Sequence, residues 1–214
     1  MKKSVILISV IFFCACQTMP PVKTPSVLTE NLSCPHPFLR EKTSFVHAIE
    51  VHAAGKIRSA VIGVTVADPL ARSLSCAIVT AEGMVLFEAE EMGGLLNVRR
   101  AMPPFDAEDF AGSMLADIKL LFFAPEGTIH KRGVLPDGKF VCRWKELEGD
   151  WVDVFGDCNE VIQIKRYSPC GSLKRHVIYD NLAGIYFQSI VLHAKETPTY
   201  SLYMTLIEAQ SVRN

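Results

Sequence analysis

The most specific chemistry in this chain sits near its N-terminus, where Cys14-Ala15-Cys16 places a cysteine thiol to accept an acyl group. Lys2 and Lys3 and an almost unbroken apolar run from Val5 to Phe13 precede it. That run is shorter than the about 20 apolar residues that span a bilayer. Gln17, Thr18 and a Pro-rich segment follow it, so it reads as a removable export signal. Signal peptidases need a small residue before the cut. Ala15 before Cys16 meets that need, and Phe13 before Cys14 does not. A signal peptide over residues 1–15 and lipidation at Cys16 are expected, with ordinary secretion and an incidental cysteine as the alternative. Each buried CH2 contributes about 0.8 kcal/mol, so two or more palmitate-like chains anchor stably. In lipoproteins of Gram-negative bacteria an Asp after the anchor commonly means inner-membrane retention. Gln17 stands there instead, which leans towards the periplasmic face of the outer membrane.

Other side chains with chemical potential are dispersed. His36, His47, His52, His130, His176 and His193 form no cluster in sequence. His47 and His52 are five apart, which on a strand sends them to opposite faces and rules out a shared metal. The chain has no Gly-x-Ser-x-Gly elbow and no Gly-rich phosphate loop before Lys-Ser or Lys-Thr. Glu88, Glu90 and Glu91 read as solvated strand-end carboxylates. Asp150, Asp153 and Asp157 could mimic a calcium loop, but the terminal Glu and central Gly of such a loop are missing. No catalytic residue, no metal and no cofactor is assigned, and an enzyme is not expected.

Removing Cys14 and acylating Cys16 leaves Cys34, Cys76, Cys142, Cys158 and Cys170. The periplasm permits disulfides, and an odd number leaves at least one cysteine unpaired within the chain. Cys76, within the apolar stretch Leu74–Thr80, reads as a buried thiol. A pairing among Cys142, Cys158 and Cys170 is possible but not fixed by spacing. With no Cys-x-x-Cys, a zinc site or thioredoxin-type centre is not expected.

The part from Cys16 onward is long enough for one domain with a real core. Hydrophobic residues at 49% suit a folded globule, and a net charge of −1 offers no basic excess for nucleic acid. The doublets Arg99-Arg100, Lys131-Arg132, Lys165-Arg166 and Lys174-Arg175 read as solvated faces.

These residues must be carried by strands. Residues 16–42 form a lipidated N-terminus and Pro-rich tether, and the domain fills 43–214. Apolar segments at Phe45–Ala53, Ile57–Ala67, Leu74–Ala81, Met84–Glu90 and Leu95–Ala101, broken by Gly-containing turns, predict an antiparallel meander. A helix then interrupts. Asp106 is the expected cap, Phe105 and Phe110 fall at hydrophobic-staple positions, and Phe110, Met114, Leu115, Ile118, Leu121 and Phe122 recur at helical spacing. Pro125 and Gly127 end it. Strands resume at Thr128–Leu135, Lys139–Trp144, Trp151–Phe155, Val161–Tyr167, His176–Tyr179, Gly184–His193 and Tyr200–Glu208. In the last, Leu202, Met204 and Leu206 alternate with Tyr203, Thr205 and Ile207, so both faces are apolar. Ala60, Ile62, Val64 and Val66 similarly make one apolar side of the second strand. Such a sheet needs cover on both faces or a cavity on one. The fold class expected is mainly β: an unclosed antiparallel β-barrel of about eleven or twelve strands with a helical lid. Its greasy inner face suits an acyl chain. Cavity or lid candidates are Ile62, Val64, Phe110, Met114, Ile118, Leu121, Phe122, Leu202, Met204 and Leu206.

Three segments carry a family resemblance: Val64 to Leu74, with its Pro69-Leu70 loop between strands; Phe105–Phe110 running into Leu120–Pro125; and Val161–Tyr179. Together with the lipobox they make the chain resemble the LolB-like outer-membrane lipoproteins of the LolA/LolB superfamily, over about Phe45 to Ala209. The resemblance implies an unclosed barrel with helices over its mouth and an apolar cavity that takes acyl chains. It further implies transfer of lipoproteins received from a periplasmic LolA-like carrier, by a membrane-anchored monomer. In the family, a Leu in a Pro-Leu-Gly loop projects into solvent and takes part in delivery to the membrane; its position is Leu70. Ala71 replaces the usual Gly here, and Asp68 the preceding Asn or Ser. Leu70 packing under the turn is the other reading. Departures from the family pattern favour a paralogue, and a non-catalytic accessory lipoprotein that uses the fold as an interaction module is the rival function.

Overall fold

The computed structural model describes residues 18–24, 33–156 and 161–212. The signal peptide, Cys16, Asp157 and Cys158 lie outside the described residues. Twelve strands and one helix follow in order. They are β1 (Thr43–Ala53), β2 (Lys56–Asp68), β3 (Ser73–Val79), β4 (Val85–Met92), β5 (Leu95–Ala101), α1 (Phe110–Phe122), β6 (Gly127–Val134), β7 (Phe140–Glu146), β8 (Trp151–Phe155), β9 (Ile162–Tyr167), β10 (Leu173–Ala183), β11 (Tyr186–Ala194) and β12 (Tyr200–Ser211).

All twelve strands belong to one sheet, in the order β5-β4-β3-β2-β1-β12-β11-β10-β9-β8-β7-β6. Each of the eleven pairings is antiparallel. The first and last strands meet in the middle, and the two edges, β5 and β6, are joined in sequence by α1. The result is an up-and-down barrel slit between β5 and β6, with the helix packed in its concavity. The expected turns are present. Gly93 and Gly94, between the paired Met92 and Leu95, both have positive φ (59° and 79°), as a two-residue hairpin loop requires.

The helix begins later than its sequence signals. Asp109, not Asp106, is the N-cap, and it makes no side-chain capping bond. The backbone supplies the satisfaction instead: Phe110 N donates to Ala107 O at 3.0 Å. The staple contact survives the shift, with the Phe105 and Phe110 rings edge-on at 5.3 Å. Leu115, Leu120 and Leu121 of α1 are buried with Phe87, Val154, Ile164, Val177 and Leu192 from the sheet. Each such side chain contributes about 1.5–3 kcal/mol by leaving water.

The face of β2 is opposite to expectation. Val61, Gly63, Thr65 and Ala67 point inward, while Ile62 and Val64 lie on the convex side opposite Ala48 and Val46. Large partners on β1 impose this phase: a Cβ on Gly63 would sit 2.5 Å from Ile49 Cδ1, and Phe45 faces Thr65. Ile62 and Val64 therefore lie away from the barrel interior, and Val64 borders a shallow depression of about 190 Å³ beside Glu88, Glu90 and Arg99 instead. On β12 the expected inner set holds: Met204 is buried in the core and Leu202 and Leu206 pack against it, while Tyr203 and Ile207 are exposed.

The predicted tether is also different in its described parts. Residues 18–24 run across the convex side of β7–β9. Thr18 bridges Ser172, Lys23 bridges Val134 in both directions, and Val22 is buried with Leu135, Val141 and Phe155. This strap also covers a buried ion pair in which Arg143 donates two 2.6 Å bonds to Asp153 and a third, at 2.9 Å, to Pro20 O. Residues 33–42 then cross the mouth of the barrel to β1. Cys34 is joined to Cys142, with Cα atoms 5.7 Å apart. The pairing brings Cys34 into the disulfide chemistry and leaves Cys76 buried and Cys170 exposed as free thiols.

Candidate functional site

A cavity of about 880 Å³ opens at the mouth of the barrel, within the roughly 300–1,000 Å³ typical of small-molecule sites. Four pieces of chain build it. Phe45 and His47 come from β1, Leu121 and Phe122 from the end of α1, and Ile162, Tyr179, Leu182, Tyr186, Phe187 and Ile190 from β9–β11. Residues 33–41, with Phe38 buried among them, form the remaining wall.

Aromatic contacts order the floor. Phe45 stacks on Phe122 at 4.7 Å and meets Tyr186 edge-on at 5.5 Å. His47 lies beside both phenyl rings, at 5.7 Å from Phe45 and 6.2 Å from Phe122. It is only 3% exposed, and burial pulls its pKa down to about 4, so the ring is neutral at pH 7. Tyr179, fully buried, donates to Leu121 O at 2.8 Å and fixes the end of the helix against β10. Leu39 N donates to Phe122 O at 3.0 Å, tying the mouth-crossing segment to the same place.

Charged pairs secure the helix from its other sides. Arg175 Nε donates to buried Asp117 at 2.7 Å, and Tyr200 donates its hydroxyl to the second Asp117 oxygen. Lys119 pairs with Glu91 at 2.9 Å. Arg72 reaches Ala124 O at 3.4 Å and Glu126 at 2.6 Å.

Of the cavity and lid candidates, only Leu121 and Phe122 line this cavity. Phe110, Met114, Ile118, Leu202 and Leu206 pack against the core elsewhere, with Met204 inside it. Sequence reasoning missed Phe45, His47, Tyr186 and Phe187. The alternation of Phe45, His47 and Ile49 along β1 was the available signal. Nothing in the Pro-rich composition of 33–41 announced a cavity wall.

Leu70 is 85% exposed and does not pack under its turn. Asp68 shapes the loop, accepting from Leu70 N and Ala71 N, each at 3.0 Å. The residue with positive φ is Arg72, at 47°, so Ala71 occupies a position that does not demand Gly. The carboxylates singled out in the sequence are engaged in ion pairs. Asp153 holds Arg143, Asp150 holds Arg166 and Lys174 at 3.1 Å each, and Glu88 and Glu90 hold Arg99. Among the described residues, no group of three His, Cys, Asp or Glu is placed to hold a metal, and no helix is long and apolar enough to cross a membrane. His47 faces inward and His52 outward, as their spacing predicts.

No family model matches the chain, and a search of curated proteins finds no match. Among solved structures, it is similar to the crystal structure of the LolA superfamily protein NE2245 from Nitrosomonas europaea. The TM-score is 0.54 at 12% sequence identity, covering 83% of this chain and 88% of that one. The fold is LolA-like. The expected architecture, mainly β with an unclosed antiparallel sheet and a helix against it, is thereby shown, and at this identity the likeness is one of fold alone.

Proposed function

We propose that this protein is a LolB-like envelope lipoprotein, acylated at Cys16 and held at the periplasmic face of the outer membrane. It takes an acyl chain of a lipid or lipoprotein into the mouth cavity and assists its transfer, with a periplasmic LolA-like carrier as donor. The observation that carries this reading is the cavity of about 880 Å³, floored by Phe45, Phe122, Ile162 and Tyr186, in a LolA-like fold. Binding of this kind needs no catalytic group. The solvent-projecting Leu70 supports a role for its loop in delivery.

Mass spectrometry of the purified chain from Gln17 onward is expected to show co-purified lipid, and a fluorescent fatty-acid probe is expected to bind it. Absence of both sinks the carrier reading. A Leu70→Glu variant is expected to bind the probe as the parent does while losing transfer to vesicles, and unchanged transfer removes the loop role. One observation favours the accessory-module alternative: every residue of β5 is exposed, including Leu95, Leu96 and Val98. That reading expects a protein partner on β5 and no lipid in the cavity.

A further inference from the structure

His47 is a polar residue on the floor of the cavity, beside two phenyl rings, and at 3% exposure it is as buried as the core. Several other buried polar side chains have partners: Asp117 has Arg175, Asp153 has Arg143, and Thr43 has Glu41 O at 3.0 Å. The ring nitrogens of His47 make none of the side-chain hydrogen bonds found among the described residues, and they are not among the sealed, unpartnered atoms there (Glu146 Oε2 and Arg166 Nε), so they are open to the cavity that His47 lines. An apolar residue of the same shape would pack equally well beside Phe45 and Phe122.

We infer that His47 is the polar anchor of the cavity, pairing with a neutral oxygen function (a hydroxyl or an ester carbonyl) carried on the bound acyl chain. This rests on the acyl-chain reading above and names what that chain must carry. A neutral imidazole offers one N–H donor and one acceptor, so a hydroxyl satisfies either nitrogen and an ester carbonyl satisfies the donor. Charged groups fit less well, because an ammonium or carboxylate would lose its hydration against aromatic walls. Selection therefore falls on oxygenated, uncharged acyl derivatives over bare hydrocarbon.

The test compares tetradecan-1-ol with 1-bromotetradecane, two chains of one length of which only the first has a hydroxyl, in competition with a fluorescent fatty-acid probe on the full chain. The ratio of their affinities is expected to fall about fivefold or more in His47→Phe, and His47→Gln, which keeps a donor and an acceptor, is expected to retain it. In the parent protein the alcohol, but not the bromide, is expected to move the 15N resonances of the His47 ring. If both probes bind and neither the ratio in His47→Phe nor the ring resonances respond, the anchor is overturned while the acyl-chain reading stands. If neither probe binds the parent protein, both are overturned.

Discussion

At the scale of single residues, burial decides reactivity. Cys76 is buried in the β3–β4 face, and its thiol is pushed up to about 11, chiefly by burial. Cys170 sits exposed in the turn before β10. A thiol reagent at pH 8 is expected to label Cys170 within minutes and Cys76 only after unfolding, since the thiolate is the reacting species; equal rates at the two, read by peptide mapping, would contradict the packing. His47 gives a pH signature. Its folded pKa of about 4 lies below the unfolded 6.5, so the unfolded chain binds the extra proton between those values. Stability therefore falls as pH drops through that window, by about 2 kcal/mol per such histidine between pH 7 and pH 5. His47→Phe is expected to lose this share of the pH dependence, measured by denaturant melts at the two pH values.

At the scale of elements, α1 is held by two charged pairs and two tyrosine hydroxyls, with Arg72 bound just past its end, rather than by apolar packing alone. Asp117 is the buried hub, and its removal leaves Arg175 with Glu196, at 3.0 Å near the surface, as its remaining carboxylate. Asp117→Ala is expected to cost about 3 kcal/mol, a fall of roughly 10 °C in Tm for a domain of this size. Amide exchange is expected to rise across Phe110–Phe122, and a uniform rise over the whole sheet would mean that the pair holds more than the helix. The element order was legible in the sequence because period-two alternation and Gly turns recur in short units. Trp151–Phe155 and Leu95–Ala101 were read residue for residue. Phase was less legible, because both strands carry large apolar residues on the two sides: on β12 Leu202, Met204 and Leu206 do face in, whereas β2 puts Gly63 and Thr65 inside and Ile62 and Val64 outside because Ile49 and Phe45 already fill the space. The cavity was less legible than the sheet, since eight of its 21 lining residues come from a segment whose composition resembles a linker and whose position is fixed by a disulfide 108 residues away in sequence.

At the scale of the whole molecule, the described segments before β1, residues 18–24 and 33–42, pack against the domain. The Cys34–Cys142 bond closes a loop of the size for which chain entropy gives about 4–5 kcal/mol. Cys34→Ser with Cys142→Ser is expected to lose a similar amount of stability and to weaken fatty-acid probe binding severalfold, because residues 33–41 form one wall of the cavity. Unchanged binding in the folded variant would show that the wall is dispensable. The strap at residues 18–24 sets a direction as well. Thr18 is bridged to Ser172, just before β10, and Met19 N donates to Gly171 O at 2.8 Å. The cavity opens beside Leu182 and Ile185, at the far end of the same strand, roughly 33 Å away at 3.3 Å per residue. An acyl group on Cys16, two residues before Thr18, would hold the near end at the bilayer and aim the opening at the aqueous side. An anchor so placed would leave the molecule with its back to the membrane: cargo arriving through water would find the entrance, and cargo bound for that membrane would require the barrel to turn over.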